Sequence, residues 1–290
     1  MSLANKTAFI TGSSRGIGLA IAKRFAQDGA NIVIIGKTTE PHPKLPGTIF
    51  TAAKEVELAG GQALPIACDI RSEEAVEAAV AAAVERFGGI DIVVNNASAI
   101  FPRPTEHTPL KRWDLMHSIN ARGTFLTTQK CLPYLKQADN PHILAMSPPL
   151  DMKEKWFAPH VAYTSSKFGM SLCILGWAGE FKGTIAANAL WPRTAIATAA
   201  IANVLAGQDA FVRCRKPEIL ADAAYSIVTK PVDFTGNFII DDTFLVAEGV
   251  TDLERYNVQP GVGALLPDFF VPDEPAAPEG VELMDVVLGH

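Results

Sequence analysis

Basic charge is in short supply in this chain. Its 25 Lys and Arg are outnumbered by 31 Asp and Glu, for a formal charge of −6 and a pI near 5.5. A nucleic-acid partner needs a basic surface against its phosphates, so this balance argues against one. Long apolar runs are absent too. None approaches the roughly 18 residues of a membrane-spanning helix, and no membrane span is expected. Cysteine is sparse. Cys68, Cys131, Cys173 and Cys214 are scattered without CxxC or metal-ligand spacing, which reads as reduced, mostly buried thiols and no metal site. The opening Met1-Ser2-Leu3-Ala4-Asn5-Lys6 leads straight into a strand-like run, with no secretory signal pattern before it. The closing Leu288-Gly289-His290 is not a peroxisomal address. The expected compartment is the cytoplasm.

What is present is a globular composition, 48% hydrophobic over 290 residues, enough for one large domain with a substantial core. Strand-like runs alternate with helical periods. Strands are expected at Thr7–Ile10, Asn31–Ile35, Ala63–Cys68, Ile90–Val94, His142–Ser147, Thr184–Trp191 and Gly236–Asp241. Helices are expected around Leu19–Phe25, at Phe50–Ala59, from Ser72 to Gly88, as one long stretch from Pro109 to Lys136, from Tyr163 to Phe181, and at Pro217–Val228. A short helix over a pocket is expected at Thr198–Val204. Such alternation predicts one α/β doubly wound parallel sheet of about seven strands with helices on both faces. From about Asp252 the pattern dissolves into Pro, Gly and acidic residues, interrupted by the aromatic pair of Pro267-Asp268-Phe269-Phe270-Val271-Pro272. That tail reads either as packing on the domain, or as a substrate-pocket lid or an arm reaching a neighbouring subunit.

The first strand runs into Thr11-Gly12-Ser13-Ser14-Arg15-Gly16-Ile17-Gly18. A glycine-rich turn between a strand and a helix is the context in which backbone amides cradle a pyrophosphate. Gly12 permits the tight turn, Gly16 admits the phosphate to the backbone, and Gly18 lets the helix close on the strand. The second strand ends without the acidic residue that would hold a ribose 2′-hydroxyl. Lys37 stands there instead and, with Arg15, would neutralise a 2′-phosphate, favouring NADP(H) over NAD(H); the plainer reading of Lys37 is a solvated loop charge. A proline-rich loop, Glu40 to Gly47, is placed to cover the adenosine end. Asp69 reads as an acceptor for an adenine amino group or as a turn carboxylate. Asn95-Asn96-Ala97-Ser98 ends the fourth strand, where ligands bind in open α/β sheets.

Tyr163 and Lys167 lie four apart on a predicted helix and share a face. An ammonium fixed beside a phenol favours the phenolate and would bring Tyr163 into range as a proton donor to a carbonyl that receives hydride.

TGSSRGIG, Asp69, Asn95-Asn96-Ala97, Asn120, Tyr163 and Lys167 follow one another at spacings that resemble the classical short-chain dehydrogenases/reductases, over about residues 5 to 245. The resemblance implies a Rossmann-type catalytic domain over residues 1–250, with 251–290 as an extension. It implies an oxidoreductase for a carbonyl/secondary-alcohol pair, with an apolar or lipid-like substrate expected. Tyr163 would be the general acid/base, Lys167 would hold the nicotinamide ribose, and Asn120 would hold a water in a proton relay. Cofactor contacts would come from Gly12, Ser14, Arg15, Gly16, Ile17, Gly18, Lys37, Asp69, Ile70, Asn96, Ala97, Pro192, Thr194 and Thr198, besides Tyr163 and Lys167. Relatives associate through the helices that here carry Phe125, Leu172 and Trp177, so a homodimer or homotetramer is expected.

Three positions depart from the pattern. At the family's usual offset from the tyrosine, the catalytic serine falls on Leu150; matched by strand end, it falls on Pro148, beside Ser147. Either Ser147 substitutes, or Tyr163, Lys167 and Asn120 work without a serine. Ser98 stands for a glycine and puts a side chain in the crevice. Arg193 stands for another glycine and would either meet an anionic substrate or face solvent. Pro148 also motivates an alternative function, a dinucleotide-binding sensor or scaffold with little catalysis.

Overall fold

The computed structural model describes residues 1–42, 45–199, 201 and 208–285. Seven strands form one sheet: β1 (Thr7–Thr11), β2 (Asn31–Gly36), β3 (Gln62–Ala67), β4 (Ile92–Asn95), β5 (His142–Met146), β6 (Ala186–Trp191) and β7 (Phe238–Ile240). Their order is β3-β2-β1-β4-β5-β6-β7, and every pairing is parallel. Parallel strands need crossovers, and helices supply them: α1 (Gly16–Ala26), α2 (Ile49–Leu58), α3 (Glu73–Phe87), α4 (Leu110–Ile119), α5 (Ala121–Leu135), α6 (Val161–Glu180), α7 (Gln208–Val212) and α8 (Glu218–Val228); α9 (Asp241–Ala247) follows the last strand. The doubly wound parallel sheet expected from the alternation is the one observed.

Because side chains alternate across a strand, neighbouring residues fall into opposite cores. Ile10, Val94 and Leu144 pack with α1, α2 and α8. Phe9, Val93 and Ile143 pack with α3, α5 and α6 on the other face. Burial on both faces is why these strands read as unbroken apolar runs. A third cluster lies off the sheet, around Trp156, Tyr163, Phe168, Trp191 and Phe270.

Helix ends follow local chemistry. Thr48 and Thr51 cap α2 reciprocally, and the Ser72 hydroxyl accepts from the Ala75 N–H at the start of α3 (3.2 Å). No side chain caps the start of α1. Its positive end, with the amides that a helix leaves unpaired, opens where β1 and β4 diverge and the chain order reverses.

Most boundaries shift by one or two residues, and two differences have a local cause. The long helix is broken at Asn120 into α4 and α5, because the Asn120 side chain is bound across to another segment. The last strand stops at Ile240, and Asp241 begins α9. The short helix expected over Thr198–Val204 falls largely outside the described residues. Among the described residues no helix is long and apolar enough to cross a membrane.

Candidate active site

A cavity of about 940 Å³ lies at the glycine turn. Gly12, Ser14, Arg15, Gly16 and Ile17 form one side, and Lys37, Asp69, Ile70, Asn96, Ala97 and Thr198 the other. Gly12 and Gly16 both have left-handed backbones, φ +65° and +57°, which a side chain would strain. Gly18 does not line the cavity; it seals the turn. A Cβ there would sit 2.5 Å from Asn96 Nδ2 and 2.7 Å from the Gly12 carbonyl oxygen. Asn96 closes the same junction, donating from Nδ2 to the carbonyls of Thr11 (2.9 Å) and Gly12 (3.1 Å). Thr11, which the sequence did not single out, accepts the Asn96 and Ala97 N–H groups on its hydroxyl (3.0 Å each).

The rim is polar. Arg15 donates to the carbonyls of Pro46 (2.8 Å) and Gly47 (2.9 Å), so it anchors the proline-rich loop to the turn. Lys37 is exposed and lies 3.4 Å from Asp69. Asp69 is tied more closely to Arg71, at 2.5 Å. That hydrogen-bonded guanidinium is the main reason its carboxyl stays far below the usual carboxylate range. The residues fit a dinucleotide: an uncapped helix start behind left-handed glycines, with cations at the far rim.

A second cavity of about 600 Å³ contains Tyr163 and Lys167 on its wall. It shares Ile17, Asn96, Ser98 and Thr198 with the first, so the two adjoin. Ser98 enters the crevice, as its replacement of a glycine implied. The other walls are mostly apolar: Ile100, Trp156, Trp191, Phe269 and Leu283. Pro192 lines this cavity, whereas Thr194 is fully buried and lines neither.

Lys167 is 2% exposed. Its ammonium donates to the Met146 carbonyl (2.6 Å) and lies 4.9 Å from the centre of the Trp191 ring. Burial lowers its pKa to about 7. Among the described residues the Tyr163 hydroxyl has no hydrogen-bond partner. Its pKa is pushed well above the phenol range, first by burial and second by the Asp268 carboxylate. The expected depression by Lys167 is therefore not met here: burial raises the phenol, and the Lys167 ammonium is held by a carbonyl.

Asn120 is fully buried and lines neither cavity. Its side chain exchanges hydrogen bonds with Ala99, N–H to Oδ1 (2.7 Å) and Nδ2 to the carbonyl (3.0 Å), and donates to Ser166 Oγ (2.9 Å). The side chain thus locks the α4–α5 break to the loop after β4 and to α6. Ser147 is also fully buried, does not line the cavity, and has no partner for its hydroxyl among the described residues. Pro148 offers only a carbonyl, which accepts from the Ser171 hydroxyl (2.6 Å).

Arg193 is neither solvent-facing nor free for an anion. It is 2% exposed, and its Nε donates to Asp242 (2.8 Å). Asp242 also binds Arg215 (2.9 Å). Arg193 Nη2 reaches the carbonyls of Pro275 (3.2 Å) and Ala276 (3.3 Å). A buried arginine needs such partners, and here they fasten the C-terminal segment to the end of β6. Trp177 is likewise buried, against Phe125. Phe125 and Leu172 do remain exposed, at 49% and 58%.

Of the alternatives open for the C-terminal segment, the structure has it packed on the domain, where it forms a wall of the second cavity. Phe270 is fully buried, with its ring 5.8 Å from that of Tyr163. It holds a left-handed φ of +66°, a strain of about 1–3 kcal/mol that only its packing offsets. The Trp191 indole donates to the Phe269 carbonyl (2.6 Å). The aromatic pair was the only signal in the sequence.

Comparison with known proteins agrees with this architecture. The family model described as short chain dehydrogenase matches residues 6–209. Hydroxysteroid dehydrogenase-like protein 2 of Danio rerio is 58% identical over 273 residues, covering 94% of this chain and 65% of that protein. The chain thus spans a little under two thirds of this relative's length. A crystal structure of a short chain dehydrogenase from Mycobacterium thermoresistibile matches with a TM-score of 0.89 at 55% identity, over 96% of this chain and 100% of that one. A metagenomic short-chain oxidoreductase in complex with NADP is 25% identical (TM-score 0.67, 83% and 98% covered). A 7α-hydroxysteroid dehydrogenase complexed with NADH and 7-oxo glycochenodeoxycholic acid is 26% identical (TM-score 0.72, 82% and 93% covered). The glycine turn, the parallel sheet and these matches together make the chain a member of the short-chain dehydrogenase/reductase family of NAD(P)(H) oxidoreductases.

Proposed function

We propose that this chain interconverts a ketone and a secondary alcohol on an apolar, lipid-like substrate, with NADP(H) preferred as cofactor and Tyr163 as general acid/base. One observation carries the reading. Tyr163 lines an apolar cavity that adjoins the dinucleotide cavity through shared walls.

Gly12, Ser14, Gly16 and the start of α1 would hold the pyrophosphate, Asp69 and Ile70 the adenine end, and Arg15 and Lys37 a 2′-phosphate. A bound nicotinamide supplies hydride chemistry at the junction of the cavities. In reduction, Tyr163 gives its proton to the carbonyl oxygen; in oxidation, it takes that proton back. Lys167, held by the Met146 carbonyl, is placed to bind the ribose and to carry positive charge beside the developing phenolate. Trp156, Trp191 and Phe269 keep water from the reacting centre.

The test is NADPH turnover over a panel of apolar ketones, then Tyr163→Phe. That change is expected to lower kcat by about 10²- to 10⁴-fold while NADPH affinity holds. Full activity in the variant would remove Tyr163 from its role. Tight NADPH binding without turnover across the panel would favour a sensor, the reading that Pro148 motivates.

A further inference from the structure

The wall that the C-terminal segment adds to the Tyr163 cavity carries a carboxyl group. Asp268 lines that cavity together with Tyr163 and Lys167. Its backbone is fixed on both sides. The Asp268 N–H donates to the Arg193 carbonyl (2.9 Å), and Oδ1 accepts from the Phe269 N–H (2.7 Å). Pro267 bridges to Thr194, and Phe270 is locked among Tyr163, Trp156, Phe168 and Trp191. The backbone is thus held on both sides, and the Phe269 N–H holds the carboxyl. Among the described residues, Oδ2 has no hydrogen-bond partner.

The charged groups around it are mostly committed elsewhere. From the end of β6, Arg193 is bound to Asp242. Arg215, after α7, is bound to the same carboxylate. From the tail, Asp273 is held by Lys153 and Lys155. Asp241, at the start of α9, accepts the Arg193 N–H, and Cys214 is a buried thiol. His160, before α6, has Nδ1 against the Thr164 hydroxyl, and its burial favours the neutral ring. Lys167 remains as the cation that faces Asp268 without another carboxylate.

We propose that Asp268 is a third ionisable group of this active site, a positioning residue whose charge sets the pH range in which Tyr163 holds or releases its proton. The inference rests on the oxidoreductase reading for its purpose, but not for its test. Burial raises the Asp268 carboxyl to about 7, partly offset by the Phe269 N–H and by Lys167. Burial lowers Lys167 to about 7, partly offset by Asp268. Each therefore favours the charged form of the other. The ionised carboxylate opposes a second negative charge on the Tyr163 phenol, so the tyrosine keeps its proton to higher pH.

The readout is the ultraviolet absorbance of tyrosinate against pH. The step belonging to Tyr163 is the one that Tyr163→Phe removes. Asp268→Asn, of the same shape without the charge, is expected to move that step down by about one pH unit, a tenfold change in ionisation constant. Asp268→Glu is expected to leave it near the wild-type position. With a substrate in hand, the acidic limb of alcohol oxidation moves down in parallel. Asp268→Ser gives the same comparison should the Asn variant not fold. A Tyr163 step at the same pH in wild type and in the uncharged variants overturns the proposal, as does an equal shift in Asp268→Glu; where unfolding precedes the step in every variant, a pH dependence of unfolding between about pH 5 and 9 that Asp268→Asn leaves unchanged overturns it. A shifted step in a protein that turns over no substrate would instead count against the oxidoreductase reading.

Discussion

The two adjoining cavities are built by different means. The dinucleotide end is made by backbone. Its critical geometry lies in one stretch, Thr11 to Gly18, with Asn96 closing the turn from the neighbouring strand. The end proposed for the substrate is made by side chains from distant segments: Tyr163 on α6, Trp191 at the end of β6, and Asp268 and Phe269 near the C-terminus. A phosphate needs amides and a helix start, and a short turn supplies both. An apolar pocket around a proton donor needs bulk from several directions, and only tertiary packing assembles it.

Substitutions can break or sharpen this contrast. The largest effect is expected at the substrate end. Phe270→Ala should cost about 3–5 kcal/mol in chemical unfolding, because it empties a fully buried ring from the aromatic cluster. Its NADPH affinity should stay close to wild type. A large loss of dinucleotide binding would show that the two ends are not separable. Gly18→Ala tests the other end. The new Cβ meets Asn96 and the Gly12 carbonyl below 3 Å, so the turn must open, at about 1–3 kcal/mol. Dinucleotide titration should weaken, while the tryptophan fluorescence of the aromatic cluster is retained. Unchanged affinity would mean that the turn does not carry the pyrophosphate. The smallest effect is expected for Lys37→Ala. Lys37 is exposed and shares Asp69, so solvent screens its charge. A loss of about tenfold or less in NADP affinity is expected, shrinking further with salt and absent for NAD. Equal losses for both cofactors would remove the 2′-phosphate from the role of Lys37.

Local rules read the first end well. Gly12, Gly16 and Gly18 declared themselves by position, since each answers a local demand of the turn. The strands were legible as apolar runs because a parallel sheet buries both faces. Other residues were legible as types but not as places. Asn120 sits in a helical pattern that continues past it; only its pairing with Ala99 shows why the helix breaks there. Arg193 at a strand end looks solvated until Asp242 is found beneath it. Trp177 falls on the outer stripe of its helix by periodicity, yet it is buried against Phe125. In each case the deciding partner is remote in sequence.

What the sequence determined by itself was the sheet, the glycine turn, and the pairing of Tyr163 with Lys167 on one helix face. These follow from strand alternation, helix period and backbone freedom, all of which act over a few residues. What only the tertiary structure decided was the environment of that pair. The tail folds back, Phe270 packs on Tyr163, and Asp268 enters the same cavity as Lys167. In water, the ionisable groups of all three would titrate near their ordinary values. Burial together is what shifts them, and burial is a property of the fold and not of any stretch of chain.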